Sequence, residues 1–331
     1  MKATIVLVVV LVALLGAVHA AQESGGDAAI REQFNAFVQR YGKSYASAEE
    51  AEQRFAIFTQ NLAETAALNI KYEGKTQFGI TKFADMSQEE FQSRVLMSNP
   101  PPPPTEKPYR GPKFEGFTAP STFDWRNKPG VVTPVYDQGQ CGSCWAFSAT
   151  ENIESQWALA GHKLTGLSMQ QIVDCSWWDD GCGGGFPSYA YDYVIDAPGL
   201  DALANYPYTA VGGSCAFKES QVVAKISSWT YTTTDSNEHQ MANYLAQHGP
   251  ISVCVDAESW PSYTGGVYRA SACGTSIDHC VLAVGYNLTA NPPYWIIRNS
   301  WGTSWGLEGY MHLEFGTDAC AVAEMTTSAI I

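Results

Sequence analysis

Charge is scarce in this 331-residue chain: Asp, Glu, Lys and Arg together make up 16%, and basic residues are outnumbered 19 to 33. A net charge of −14 leaves little cationic surface to hold a polyanion, so nucleic acid is not expected as a partner. Long apolar runs are scarce too. Thr4 to Leu15 is too short for a membrane span, and no other stretch is long and apolar enough to cross, so the mature form is expected to have no span. With Lys2 before it and small residues at Val18 and Ala20 after it, residues 1–20 read as a secretory signal peptide. A second Cys-x-x-Cys pair is missing as well, and so is a βαβ context around Cys141-Gly-Ser-Cys144. The first absence weighs against a zinc site and the second against a thiol–disulfide oxidoreductase.

Aromatics at 12% and 29 glycines suit a packed, loop-rich globular protein. The length allows two domains. From Ala119 onward there are seven Lys or Arg against twenty Asp or Glu. Such an acidic region stays soluble at neutral pH and approaches neutrality as its carboxylates protonate, which is compatible with an acidic compartment. Nine cysteines in an exported chain imply disulfides, and the odd count leaves a thiol unless two chains are bridged.

The chain is organised around Gln138-Gly-Gln-Cys-Gly-Ser-Cys-Trp-Ala-Phe-Ser148, a Gly-rich turn ending on a cysteine that opens a helix. A thiolate there is stabilised by the helix dipole and by unpaired backbone N–H groups, which lowers its pKa and makes it a nucleophile. A nucleophile needs a base and an orienting group. Ile277-Asp-His-Cys-Val-Leu-Ala-Val-Gly285 and Tyr294-Trp-Ile-Ile-Arg-Asn-Ser-Trp-Gly302 supply both. On these stretches, together with Cys-Gly-Ser-Cys-Trp, the chain resembles the papain-like cysteine peptidases of the cathepsin L and F kind, as a full-length preproenzyme.

Read in order, residues 21–99 place apolar residues at helical spacing in two amphipathic helices joined near Gly42 to Ser47. Glu50, Arg54, Phe58, Asn61 and Asn69 fall on spacing similar to the Glu-Arg-Phe-Asn-Ile-Asn motif of papain-family pro-regions, with Thr65 in place of Ile. Gly79-Ile-Thr-Lys-Phe-Ala-Asp85 resembles the Gly-x-Asn-x-Phe-x-Asp motif, with Thr81 in place of Asn. The resemblance makes residues 21–99 an inhibitory prodomain. Residues 100–118 are a Pro-rich linker and activation region cut between Gly111 and Ala119, a partner-domain ligand being the alternative for the prolines. Residues 119–331 form the peptidase domain. There, Cys144 to Ala160 reads as a buried helix stopped by Gly161, Leu167 to Asp174 as a helix capped by Ser168, and Tyr189 to Val194 as a short Tyr-rich stretch. Ile251 to Val255, Val281 to Val284 and Tyr294 to Arg298 read as strands. The class is α+β. The resemblance implies a helical lobe and a β-barrel lobe with a cleft between them, preceded by the helical prodomain.

The resemblance also implies roles. Cys144 is the nucleophile, His279 its base in a thiolate–imidazolium pair, Asn299 the ring's orienting partner under Trp301, and Gln138 an oxyanion donor with the Cys144 N–H. Gly142, Gly184 and Gly185 form a cleft floor, and Phe186, Pro187, Cys254, Cys280 and Met325 an apolar second specificity pocket. Asp278 and Trp305 flank the substrate. Hydrophobic residues are expected in the pocket and Arg is disfavoured, with Glu324 nearby. The expected disulfides are Cys141–Cys182, Cys175–Cys215 and Cys273–Cys320. Cys254 and Cys280 are expected as buried thiols, with an extra disulfide between them as the alternative. Asn287-Leu-Thr289 is a glycosylation sequon in a polar loop, and His162 and His248 are expected to be exposed. No His-rich insertion of the cathepsin B kind follows Pro187, so endopeptidase action is implied. No metal or cofactor is called for. The implied partners are protein and peptide substrates, the chain's own prodomain and cystatin-like inhibitors of a monomer in a lysosome, another acidic vesicle or outside the cell.

Overall fold

A computed structural model describes residues 26–104, 118–233 and 235–331; the expected signal peptide and most of the expected processing region lie outside them. These residues fall into two compact units, one reaching Glu64 with Ala84–Met86 added, the other comprising Thr65–Phe83 and Ser87–Ile331. The segment read as one prodomain is thus shared between both units.

The first unit is helical. Residues 26–40 form α1, and α2 runs Ala48–Lys71, its last turns belonging to the second unit. Phe34 and Phe37 of α1 pack on Phe58 of α2 with ring centroids 5.4 and 5.2 Å apart. Residues spaced by three or four share a helix face, and the spaced motif uses one such face to hold a passing chain. Arg54 Nη1 donates to the Asp85 carbonyl at 3.0 Å, and Asn61 Nδ2 to those of Ala84 and Met86 at 2.9 Å. The Asp85 carboxylate receives Lys43 Nζ at 2.7 Å and the Tyr45 hydroxyl at 3.0 Å.

In the second unit the prosegment supplies β1 (Thr76–Phe78) and α3 (Gln88–Arg94), α3 opening on a Ser87–Glu90 capping box. Strand β2 (Thr122–Asp124) precedes the helices α4 (Cys144–Leu159), α5 (Met169–Cys175) and α6 (Pro187–Asp196). The short strands β3 (Leu200–Asp201) and β4 (Val222–Ala224) pair with each other. Then follow β5 (Ser228–Tyr231), α7 (Glu238–His248), β6 (Ile251–Val255), β7 (Tyr263–Tyr268), β8 (His279–Asn287), β9 (Tyr294–Arg298), β10 (Tyr310–Glu314) and β11 (Met325–Ile330). The large sheet runs β1-β7-β10-β9-β8-β6-β11-β5, with β2 added beside β8. Its pairs are antiparallel except β7 with β10. Mixed helices and sheet, with helices first, agree with the α+β reading.

Helix α4 joins the two halves. Its residues from Cys144 to Gln156 are all buried, as expected of a buried helix. Polar side chains on the sheet side are paired: Ser148 Oγ donates to the Val281 carbonyl at 2.7 Å, Asn152 Nδ2 to that of Pro250 at 2.8 Å, and Asn152 Oδ1 accepts from Ala329 N at 2.8 Å. Each satisfies a buried group that would otherwise cost about 1–3 kcal/mol. Ser168 caps α5 as expected, accepting from Gln171 N at 3.0 Å. The Tyr-rich stretch lies in the body of α6, with Pro187 in its first turn. His162 is exposed, whereas His248 is half-buried against Tyr244.

Candidate active site

The turn before α4 is fixed covalently and by hydrogen bonds. Cys141 is bridged to Cys182, and Gly142 N donates to the Cys182 carbonyl at 2.9 Å. The Ser143 and Tyr208 hydroxyls pair at 2.6 Å. Cys144 follows as the first residue of α4, and among the described residues it is the one cysteine outside a disulfide. A Cys141–Cys144 redox pair is therefore not formed.

His279 opens β8 and is fully buried. Its Nε2 lies 2.8 Å from Asn299 Oδ1, which also accepts from Ser300 N at 2.8 Å. A backbone N–H can only donate, so it settles which end of the Asn299 amide faces the ring. The neutral imidazole therefore keeps its proton on Nε2 and leaves the Nδ1 lone pair available. Nδ1 is buried without a hydrogen-bond partner among the described residues. The Trp301 ring lies 4.8 Å from the imidazole, centroid to centroid, and is itself packed on Trp305 at 4.8 Å. Trp305 is wholly buried in this aromatic cluster.

Gln138 is held by a residue that the sequence reading passed over. Ser300 Oγ donates to Gln138 Oε1 at 2.7 Å, and the Ser300 carbonyl accepts from Gln138 N at 2.8 Å. Ser300 thus orients both the Gln138 and Asn299 amides. Its place inside Arg298-Asn-Ser-Trp301 was the available signal. Gln138 Nε2 is left to donate to the carbonyls of Cys141 and Val95, both at 2.8 Å.

A free cysteine at a helix N-terminus, a histidine oriented by an asparagine and an oriented glutamine amide are therefore built from the two halves of one unit. The profile of the papain family cysteine proteases matches residues 119–330, and that of the cathepsin propeptide inhibitor domain (I29) matches residues 34–91. The chain belongs to the papain family. Cysteine proteinase 1 of Dictyostelium discoideum is 39% identical over 322 residues, covering 91% of this chain and 93% of that protein. Cathepsin F of Mus musculus is 40% identical over 302 residues, 90% of this chain and 64% of that one. The solved digestive procathepsin L 3 of Tenebrio molitor larval midgut has a TM-score of 0.83 at 34% identity, spanning 91% of this chain and 99% of its own.

Residues Val95 to Asn99, which lie between the two profile matches, run over Gln138, Gly142, Asp278 and Gly183. The Val95 carbonyl occupies the Gln138 amide. Leu96 crosses Gly142, where an added Cβ would sit 2.6 Å from the carbonyl oxygens of both Leu96 and Cys182. Met97 N donates to the Asp278 carbonyl and Asn99 N to that of Gly183, both at 2.8 Å. At Gly184, whose φ is +136°, a Cβ would meet Met97 Cβ at 2.9 Å. At Gly185 a side chain would strike Trp145 and Asp179, so packing within the matched peptidase region is itself enough to require glycine there.

Burial pushes the Cys144 thiol up to about 12 and the His279 imidazolium down to about 4, disfavouring the charged form of each. Burial also raises the Asp278 carboxyl to about 7, although its Oδ1 accepts from Ala257 N at 2.8 Å.

Phe186, Cys254, Cys280 and Met325 share one apolar cluster with Met97, and Pro187 is buried beside Phe186. Glu324 is tied to Ser236, whose hydroxyl donates to its Oε1 at 2.9 Å. The expectation of two thiols at Cys254 and Cys280 is corrected, since the two are disulfide-bonded. They stand opposite each other on antiparallel β6 and β8 with Cα atoms 3.9 Å apart, a register the sequence alone does not reveal. Cys175–Cys215 and Cys273–Cys320 form as expected. Mass spectrometry after alkylation of the unreduced, unfolded protein should find one free thiol; finding three would refute the Cys254–Cys280 bridge.

Asn287 ends β8 instead of lying in the loop. It is partly exposed, and its Oδ1 accepts from Thr289 N at 2.9 Å. No helix among the described residues is long and apolar enough to cross a membrane, and they contain no metal-binding group of His, Cys, Asp or Glu.

Proposed function

We propose that this papain-family cysteine protease, made as a zymogen, is an endopeptidase acting through Cys144 and His279. The observation that carries the reading is the hydrogen bond between Asn299 and His279 Nε2, which keeps Nδ1 available as the base for a thiol at a helix N-terminus. Removing the prosegment readmits water and lowers the cost of both charged forms, so the thiol proton passes to Nδ1. The Cys144 sulfur then attacks the peptide carbonyl carbon. Its oxygen becomes an oxyanion held by Gln138 Nε2 and the Cys144 N–H; one such donor is typically worth about 10²–10³ in rate. Collapse breaks the C–N bond, Nδ1–H protonates the departing amine, and a thioester remains. Water, deprotonated by Nδ1, attacks the thioester and frees the acid and Cys144.

The apolar pocket of Phe186, Pro187, the Cys254–Cys280 bridge and Met325 takes a hydrophobic side chain immediately upstream of the cleavage residue, while Trp305 and Asp278 flank the reacting segment. Residues 1–20 direct export, 21–99 inhibit, 100–118 carry the processing site, and 119–331 act as a monomer on proteins and peptides. The secretory pathway, ending in a lysosome, an acidic vesicle or outside the cell, is the proposed location. Asn287 is a proposed glycan site, and cystatin-like proteins are proposed inhibitors. Residues 21–331 should lose the prosegment on acidification and then cleave a peptide with Leu or Phe at the second upstream position at least tenfold faster than its Arg counterpart. Equal cleavage of the two would sink the pocket assignment. Normal folding with no hydrolysis would sink the peptidase reading.

A further inference from the structure

The five consecutive prolines Pro100 to Pro104 take no part in the chemistry above, yet the fold seats them on a particular surface. Proline fixes φ near about −65° and has no N–H to give to a sheet, so such a run stays extended with its carbonyls left over; here it forms neither helix nor strand. At Gly184 an added Cβ would lie 3.1 Å from Pro100 Cα and 3.2 Å from its Cβ, so the run begins by passing closely over that glycine. Further on, Tyr189 of α6 donates its hydroxyl to the Pro102 carbonyl at 3.0 Å.

Tyr189 is the middle of an aromatic row. On one side it meets Phe186 edge to face at 6.3 Å between centroids, and on the other it stacks on Trp178 at 6.3 Å and 24°. Trp178 is 54% exposed and Trp177 beside it 60%, so two adjacent indoles face water with no packing reason to do so. All of these residues, prolines included, belong to one compact unit. Flat aromatic faces that pack proline rings, with a hydroxyl donating to a carbonyl between them, are what a polyproline II chain needs from a partner. The ligand is already extended, so docking costs it little conformational entropy.

The row also continues the line of the cleft. The Val95 carbonyl lies on the Gln138 amide, Met97 joins the apolar cluster, and Pro102 follows five residues after Met97. A substrate whose second upstream residue fills the apolar pocket therefore brings its fifth to seventh upstream residues over Gly184 and Tyr189. A polyproline II helix repeats every three residues without internal hydrogen bonds. Its rings and carbonyls recur at one spacing whichever way the chain runs, so the row serves a substrate of either direction.

We infer that Trp178 and Tyr189 form a docking site for proline-rich stretches of protein substrates, which Pro100 to Pro104 occupy in the zymogen and vacate on maturation. This rests on the peptidase reading above.

The test uses acid-processed enzyme and three peptides with Leu at the second upstream position, Ala at the third and fourth, and one common downstream sequence. The first carries five prolines at the fifth to ninth upstream positions, the second five alanines, and the third ends at the fourth. In the parent, the proline peptide should exceed the alanine peptide in kcat/KM by about fivefold, mainly through KM, because docking holds ground and transition states alike. Trp178→Ala should bring that ratio to within about twofold of unity. Tyr189→Phe keeps the ring and removes the donor, and should at least halve the ratio. Both variants should cleave the unextended peptide within about twofold of the parent, which shows that they fold. A parent ratio near unity, or one that survives both substitutions, overturns the inference and leaves the peptidase reading intact. If the parent hydrolyses none of the three peptides, both fall together.

Discussion

Replacing Cys144 or His279 with Ala should lower kcat/KM by on the order of 10⁵- to 10⁶-fold, and the double variant should be no worse than either single one. Sulfur attack needs the imidazole to hold the proton, and the imidazole has nothing to relay once the sulfur is gone. The two groups therefore act as a unit, and their losses do not add. Both variants should also retain the prosegment at acid pH, so mature forms must be made by adding a trace of parent enzyme and then removing it. Neither change should unfold the chain, because α4 is anchored by Ser148 and Asn152, and Asn299 keeps its bond from Ser300 N when the ring is lost. Steady-state kinetics decide the matter: losses that multiply in the double variant, or a single variant retaining more than about one per cent, would contradict a shared role.

What the sequence disclosed was local chemistry. Cys144 opening a helix, Ser168 capping one and the spaced face of α2 are each written within a few turns of chain, so periodicity and capping rules reach them. Ser300 lies inside the Arg298-Asn-Ser-Trp301 stretch, but its role does not show there because its hydroxyl bond to Gln138 spans 162 residues. The Cys254–Cys280 bridge depends on the register of β6 against β8, which either of two buried apolar strands could satisfy after a shift. Helix α7 carries its signal in Asn237, a strong cap accepting from His239 N and Gln240 N, but no motif of the sequence falls on it. The covered site was illegible in a different way. There burial disfavours the charged forms of Cys144 and His279, and residue type says nothing of burial. The same holds for the charges on the far side of α4.

There, Arg298 at the end of β9 is wholly buried, with Nη2 lying 3.2 Å from Glu151 Oε1 and Nη1 donating to Thr133 Oγ1 at 3.1 Å. Thr133 in turn donates to Glu154, whose other oxygen accepts from Leu167 N at 2.8 Å and Tyr136 OH at 3.1 Å. One guanidinium thus faces two buried carboxyls. Burial raises both, Glu151 from 4.5 to about 8, with Arg298 opposing the rise. A carboxyl whose folded value lies above its unfolded one binds more protons when folded. Its stabilising contribution is therefore complete below pH 4.5 and lost as pH rises through about 8. Between pH 5 and pH 8 the zymogen should lose on the order of a few kcal/mol through this site. Denaturant unfolding in a Cys144→Ala background, which prevents self-digestion, measures it. Glu151→Gln should flatten most of that slope; comparison with the parent cancels the opposite contribution of His279 and His312, whose depressed values favour the neutral side of the range. Arg298→Met should cost about 3–5 kcal/mol at pH 8, where two carboxylates are left unpaired. The cost should be smaller at pH 5, where both can hold protons, and adding Glu151→Gln should recover part of it. Equal destabilisation by Arg298→Met at both pH values would mean that the guanidinium acts by packing alone and that the paired carboxyls do not titrate in this range.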